Sequence, residues 1–269
     1  MTTVAVANQK GGVAKTTSVH ALGVGMAELG RKILLVDLDP QASLTWACGI
    51  DPDALEISIH DVLLKRAKVT DALIELSPPA PSETDGEDGP TGTLHLLPST
   101  IDLAGAELHL LTKTGREYVL RKALAKVTDN YDRILIDCPP SLGILTINGL
   151  TAADEVVIPL QCESLSQRGV GQLLDTIDDV RDYTNENLKV RGAIATLFDG
   201  RTKLARQVVE QVQQDYDVEL LEPYVPKSVK VAEAPAHGRS VLTHAPLSAS
   251  AAAYRDLAVQ LLASNGKHS

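Results

Sequence analysis

Short runs of consecutive apolar residues alternate along the chain with longer stretches whose apolar positions recur every three or four residues. Val4-Ala5-Val6-Ala7, Ile33-Leu34-Leu35-Val36, Leu94-His95-Leu96-Leu97, Ile134-Leu135-Ile136, Val156-Val157-Ile158-Pro159-Leu160 and residues 190–197 show little polar alternation. Strands buried on both faces require that pattern. Between them, residues 18–29, 43–48, 59–65, 101–111, 117–127, 142–150 and 164–182 carry the helical period, and 248–263 places Tyr254, Leu257, Leu261 and Leu262 on one face of a closing helix. Such alternation predicts an α/β fold, a doubly wound, mostly parallel sheet flanked by helices. One interruption, at about 77–93, is proline, glycine and acid with no apolar residue larger than alanine, which predicts a surface loop. The strand after it is too short to start a new domain, so residues 1–269 read as a single domain. The loop is then either a docking element or a tolerated insertion.

The first strand breaks into Asn8-Gln9-Lys10-Gly11-Gly12-Val13-Ala14-Lys15-Thr16-Thr17, and the helical pattern begins near Ser18. A glycine-bearing turn between a strand and a helix N-terminus makes an anion cradle. Backbone N–H groups of Gly11 to Lys15 curl around a phosphate, the helix dipole adds positive potential, and Lys15 supplies a full charge. The Thr16 hydroxyl suits Mg²⁺. The usual G-x-x-x-x-G-K-[ST] pattern fails at Gln9 and Ala14. The chain reads instead as x-K-G-G-x-x-K-[ST], with a second lysine, Lys10. Downstream, Asp37-Leu38-Asp39-Pro40-Gln41 puts carboxylates at the C-terminal end of a strand, where parallel sheets bind ligands. Asp39 there is either catalytic or a helix N-cap before Pro40. A third apolar run ends in Asp137-Cys138-Pro139-Pro140-Ser141, setting Asp137 beside the phosphate loop as an Mg²⁺ carboxylate.

These three motifs, in this order, resemble the deviant Walker A ATPases of the ParA and MinD group, a branch of the P-loop NTPases, and most closely the ParA/Soj-type partition ATPases. With the Glu233-Ala234-Pro235 region, the resemblance runs from Val4 to about Ala263. It implies an ATP-dependent homodimer in which Lys10 reaches the partner's nucleotide. It implies nucleotide contacts from Lys10, Gly11, Gly12, Val13, Ala14, Lys15, Thr16 and Thr17, with Pro226 and its neighbours packing on adenine. Thr16 and Asp137 would hold Mg²⁺, and Asp39, on the metal side, would orient the attacking water. Most family members carry glycine where this chain has Ala14. If that backbone needs a positive φ, alanine costs about 1 kcal/mol and weakens nucleotide binding. The resemblance further implies slow intrinsic hydrolysis stimulated by a ParB-like adaptor, and non-specific binding of double-stranded DNA by the ATP-bound dimer.

A formal charge of −10 excludes a uniformly basic nucleic-acid binder, so any DNA contact is local. From Lys189 to Arg239 eight bases face seven acids. Arg201, Lys203 and Arg206 cluster at one helix start, and Lys227 and Lys230 lie in a proline-bounded segment. Both places match those where ParA-type proteins hold DNA, although composition alone reads them as a solvated face. Cys48, Cys138 and Cys162 are too widely spaced for a disulfide framework or zinc site, and Cys138 reads as a small hydrophobe. His60, His95, His109, His237 and His244 show no metal spacing. Met1-Thr2-Thr3 enters the first strand at once, leaving no room for a signal peptide, and no helix-turn-helix precedes the nucleotide motif. The closing helix has one base, Arg255, where a MinD-type membrane helix carries several. The expected setting is cytoplasmic and nucleoid-associated, without a membrane partner. The rival readings are an orphan cargo-positioning ATPase of the same architecture, a MinD-like membrane regulator, and a small-molecule ligase or reductase.

Overall fold

The computed structural model describes residues 1–77, 92–162 and 166–263, the last range without the side chains of 166–168. Strands β1 (Thr2–Val6), β2 (Lys32–Asp37), β3 (Ile74–Leu76), β4 (Thr93–Leu97), β5 (Arg133–Asp137), β6 (Glu155–Gln161), β7 (Lys189–Thr196) and β8 (Leu220–Leu221) form one sheet. Their spatial order is β3-β4-β2-β5-β1-β6-β7-β8. Only the β3–β4 pair is antiparallel.

The central strands each carry a continuous apolar run because they serve two cores. In β2, Leu34 and Val36 join one cluster and Ile33 and Leu35 the other, and Ile134, Leu135 and Ile136 of β5 divide the same way. The first cluster is covered by α3 (Ile59–Leu63), α4 (Leu103–Leu110), α5 (Val119–Leu124), α6 (Ile144–Ala152), α7 (Ser166–Tyr183) and α8 (Lys203–Tyr216). On the opposite face lie α1 (Lys15–Glu28), α2 (Ser43–Ala47), α9 (Val229–Glu233), α10 (Val241–His244) and α11 (Ala249–Ala263). Gly149 lets α6 approach the sheet, since a Cβ there would meet Cys138 Sγ at 2.8 Å. Cys138 is fully buried, the small hydrophobe its context predicts.

Helix α11 closes the second face as its pattern requires: Tyr254, Leu257 and Leu261 are buried, and Leu262 is partly so. Its Arg255 is bound bidentately to Glu28 of α1, at 2.7 and 3.1 Å. Among the described residues no helix is long and apolar enough to cross a membrane.

Several boundaries differ from the sequence pattern. Helix α1 starts at Lys15, three residues early, because the loop turns directly into it through Ala14 at φ 63°. Helix α2 is preceded by Ala42 at φ 52°, so Asp39 is not its N-cap. The stretch 117–127 divides into a tight turn at Arg116–Tyr118 and the shorter α5. Strands β3 and β8, of three and two residues, are too short to show a period. Of the interruption at about 77–93, residues 78–91 lie outside the described residues. The β4 strand that follows it pairs with β2 inside the sheet, with Ile33 opposite Leu94.

Two predictions follow from α1. Ala14 holds a left-handed conformation that glycine adopts freely, so Ala14→Gly is expected to raise unfolding stability by about 1 kcal/mol in urea denaturation. His20 is buried, and desolvation lowers its pKa to about 4. It therefore stays neutral in the folded chain while the unfolded chain binds a proton near pH 6.5. Folding loses stability as pH falls from there to about 4, by ~3 kcal/mol. Between pH 7 and 4 the stability difference between wild type and His20→Leu should move by that amount in the variant's favour; a pH-independent difference refutes the assignment.

Candidate nucleotide site

Parallel register brings the site together. Asp137 ends β5 level with Val6 of β1 and Asp37 of β2, so the phosphate loop leaves the sheet beside two carboxylates. Asn8 fixes the loop's entry by donating to Pro159 O (2.7 Å) and accepting from the Lys10 amide (2.9 Å). The Thr196 hydroxyl donates to Val13 O at 3.0 Å, pinning the middle of the loop. Gly12, at φ 76°, and Ala14 then turn the chain into α1, and a Cβ at Gly11 or Gly12 would meet nothing within 4 Å. The cradle is open on its ligand side.

Lys15 is buried and its ammonium donates to Lys10 O at 3.2 Å. Desolvation lowers its pKa, opposed by the carboxylates of Asp137 and Asp39. Thr16 donates its hydroxyl to Asp137 Oδ2 at 2.6 Å. Asp137 Oδ1, buried, has no hydrogen-bond partner. Burial, then the neighbouring Asp37, raises the Asp137 pKa well above the carboxylate range. An orphaned buried carboxylate oxygen beside a hydroxyl fits a hard divalent cation. Among the described residues no three His, Cys, Asp or Glu side chains gather as a metal cage. The Thr16 hydroxyl and the Asp137 carboxylate suit Mg²⁺, which takes one or two protein ligands and completes its shell with phosphate oxygens and water.

Asp37 is different. It accepts from the Thr45 amide (2.8 Å) and hydroxyl (2.7 Å) and from the Asp39 amide (3.2 Å). Burial raises its pKa to about 6. It holds the strand end and α2 together. Asp39, half-buried, lines the cavity and accepts from the Gln41 amide at 2.9 Å.

The cavity has a volume of about 680 Å³, within the range of small-molecule sites. Gly11, Gly12, Ala14, Lys15, Thr16, Thr17 and Asp39 line it as the motif predicts. Lys10, Val13 and Pro226 are not among its lining residues. Val13 is buried behind the loop, and Pro226 forms a bridge with Phe198. From the segment following Pro226, the wall is made by Ser228, Val231, Ala232 and Pro235. Sequence reasoning missed Leu197 and Trp46. Trp46, 52% exposed at this cavity, is the chain's one tryptophan, and a lone tryptophan in a chain with 3% aromatics was the available signal.

The five predicted DNA cations come from two segments that the Phe198–Pro226 bridge sets side by side, with Phe198 N donating to Val225 O (2.9 Å) and Lys227 N to Phe198 O (3.2 Å). Arg201, Lys203, Arg206, Lys227 and Lys230 are all exposed. Arg201 pairs with Asp199 at 3.0 Å, Lys230 with Glu233 at 3.0 Å, and Arg206 donates to Gly200 O at 2.7 and 2.9 Å. Exposed pairs of this kind are screened by solvent and readily exchanged for phosphate.

An AAA domain family profile matches residues 1–190. The sporulation initiation inhibitor protein Soj of Bacillus subtilis is 42% identical over 98% of this chain and 98% of its own length. The chromosome partitioning protein ParA of Caulobacter vibrioides is 38% identical, covering 96% of this chain and 92% of that protein. Among solved structures, one described as cobyrinic acid a,c-diamide synthase from Mycobacterium smegmatis, with bound ATP analogue and magnesium, superposes with a TM-score of 0.83 at 46% identity, over 97% of this chain and 94% of that one. The septum site-determining protein MinD of Pyrococcus horikoshii, complexed with Mg-ADP, superposes with a TM-score of 0.75 at 25% identity, over 97% of this chain and 95% of that one. With these relatives spanning nearly its full length, the chain belongs to the ParA/Soj family of partition ATPases.

Proposed function

We propose that this ATPase is a DNA-partition switch: two chains enclose two ATP molecules, the closed dimer grips double-stranded DNA without sequence preference, and partner-stimulated hydrolysis releases it. The observation that carries the reading is a shared wall. Leu197, Ser228, Val231 and Ala232 line the nucleotide cavity, and the same two segments carry Arg201, Lys227 and Lys230 outward. A change in what fills the cavity acts directly on the backbone that presents the basic side chains. The partition names carried by Soj and ParA fit this basic edge better than the synthase name of the Mycobacterium smegmatis structure.

In this mechanism the loop amides and Lys15 bind the phosphates, and Lys10 of the partner subunit completes the charge on the transferring phosphoryl. Thr16 and Asp137 hold Mg²⁺, which when bound neutralises phosphate charge. Asp39 orients the attacking water. Segment 228–235 packs on the base. Turnover is slow until a ParB-like adaptor completes the site. Residues 1–269 act as one domain, working at the nucleoid without a membrane partner.

Because Lys10 does not line its own cavity, Lys10→Ala should still bind ATP as a monomer yet lose ATP-dependent dimerisation and DNA retention. Light scattering and filter binding with ATP and ADP check this, and an unaltered ATP-dependent dimer defeats the proposal. Phosphate contacts predict a wild-type log–log salt slope near −5 if about six phosphates are neutralised. The Arg201→Ala/Lys230→Ala double variant, which removes two cations from each subunit of the dimer, should weaken retention equally on unrelated duplexes and flatten the slope by about 4, with basal ATP hydrolysis kept.

A further inference from the structure

Six basic side chains that no motif absorbs, Lys65, Arg66, Lys68, Lys113, Lys122 and Lys126, line one cavity of about 640 Å³. It forms where α3 and α5 meet, among the elements that link β2 to β5. Helix α8 and the Arg201 cluster lie at the β7–β8 edge, the other end of the sheet. One carboxylate lines the cavity, Asp71, and it is already engaged by the Lys68 amide (3.4 Å) and the Thr70 hydroxyl (3.1 Å). Among the described residues none of the six cations forms an ion pair. A chain of formal charge −10 thus concentrates a local charge of +5 in one concavity.

The ends of α3 and α5 do not account for this. Each helix C-terminus offers about half a negative charge, so together they offset about one of the five. The floor is apolar: Val62, Val119 and Ala123 line it beside the cations, with Val119 half-buried. Lys65 itself sits at φ 60°, a conformation that favours glycine, and such strain persists where the surroundings hold a side chain in place.

We propose that this cavity is a second anion site, separate from the phosphate loop, for a nucleotide bearing two or more phosphate groups. The cations neutralise the phosphates, and the apolar floor takes the planar base. The volume matches ligand of that size. Duplex DNA presents its phosphates on a convex rod, which would leave the concave apolar floor unfilled.

The test uses the full chain loaded with ADP and Mg²⁺, so that the phosphate loop is filled. Guanosine 3′,5′-bisdiphosphate and inorganic tripolyphosphate are titrated separately by calorimetry. One saturable site for the guanosine probe is expected, weakened at least about tenfold in Lys68→Glu/Lys122→Glu and unchanged in Arg201→Ala/Lys230→Ala. Lys68 and Lys122 are exposed, so circular dichroism and basal ATP hydrolysis should be preserved. Weaker binding of tripolyphosphate supports the role of the base; equal binding keeps the anion site but overturns the nucleotide assignment. No binding of either probe, or binding that the charge reversal leaves intact, overturns the proposal. So does loss of duplex retention in Lys68→Glu/Lys122→Glu without probe binding, which would assign the cluster to DNA.

Discussion

A 2.6 Å hydrogen bond from the Thr16 hydroxyl to the Asp137 carboxylate joins the first turn of α1 to the end of β5, and the rest of the site is arranged around the burial of that carboxylate. Asp37 and Asp137 are level neighbours on adjacent strands. Two carboxylates so placed cannot both be charged cheaply in a low-dielectric interior. The chain separates them by hydrogen bonding. Asp37 receives three donors and becomes a strut between β2 and α2, whereas Asp137 keeps one oxygen without a partner. That oxygen is the unsatisfied group in the cluster, and a divalent cation would satisfy it. Lys15 responds to the same balance: burial disfavours its charge, and the neighbouring carboxylates oppose that.

The cavity's second wall extends that local chemistry to a surface. Sheet geometry alone would put ligand contacts only at the ends of β1, β2 and β5. The Phe198–Pro226 bridge adds two more segments, one leaving β7 and one leading into α9, and each supplies both a lining residue and an outward cation. A five-residue helix is a weak independent unit, held by tertiary contacts more than by its own hydrogen bonds. Helix α9 rests on Val231 against the second core, and Val231 also faces the cavity. This is the physical basis of the proposed coupling between nucleotide and DNA.

Much of this was legible before the structure. Ile33–Val36 and Ile134–Ile136 announce strands covered on both faces, and Lys10, Lys15, Thr16 and Asp137 announce the phosphate chemistry by type and spacing. What sequence could not show falls into two kinds. Strands β3 and β8 are shorter than any period, and the αL turns at Ala14 and Ala42 move helix starts in ways residue identity does not advertise. The second kind is convergence: Lys65–Lys68, Lys113 and Lys122–Lys126 span about sixty residues and carry acids between them, so their net charge is unremarkable until α3 and α5 bring them to one cavity. Asp37 belongs here as well, because the donors that distinguish it from Asp137, Thr45 and the Asp39 amide, reach it only in the fold.

Strain shows how firmly the nucleotide site is held. Of the five non-glycine residues at positive φ among those described, Ala14 and Leu197 line the nucleotide cavity and Ala42 directly precedes Ser43, which does. Each costs about 1 kcal/mol, and together they consume a substantial part of the 5–15 kcal/mol that typically separates folded from unfolded chains. Such conformations survive only where neighbours over-determine them. Beside each lies a named anchor: Thr196 on Val13, Thr45 on Asp37, and Phe198 N on Val225 O. Two of those anchors run to a strand, Thr196 of β7 and Asp37 of β2, so the loop and α2 are fixed by the sheet and not by their own sequence. The cavity is therefore preorganised by the fold, and the strain is concentrated at the positions nearest the ligand.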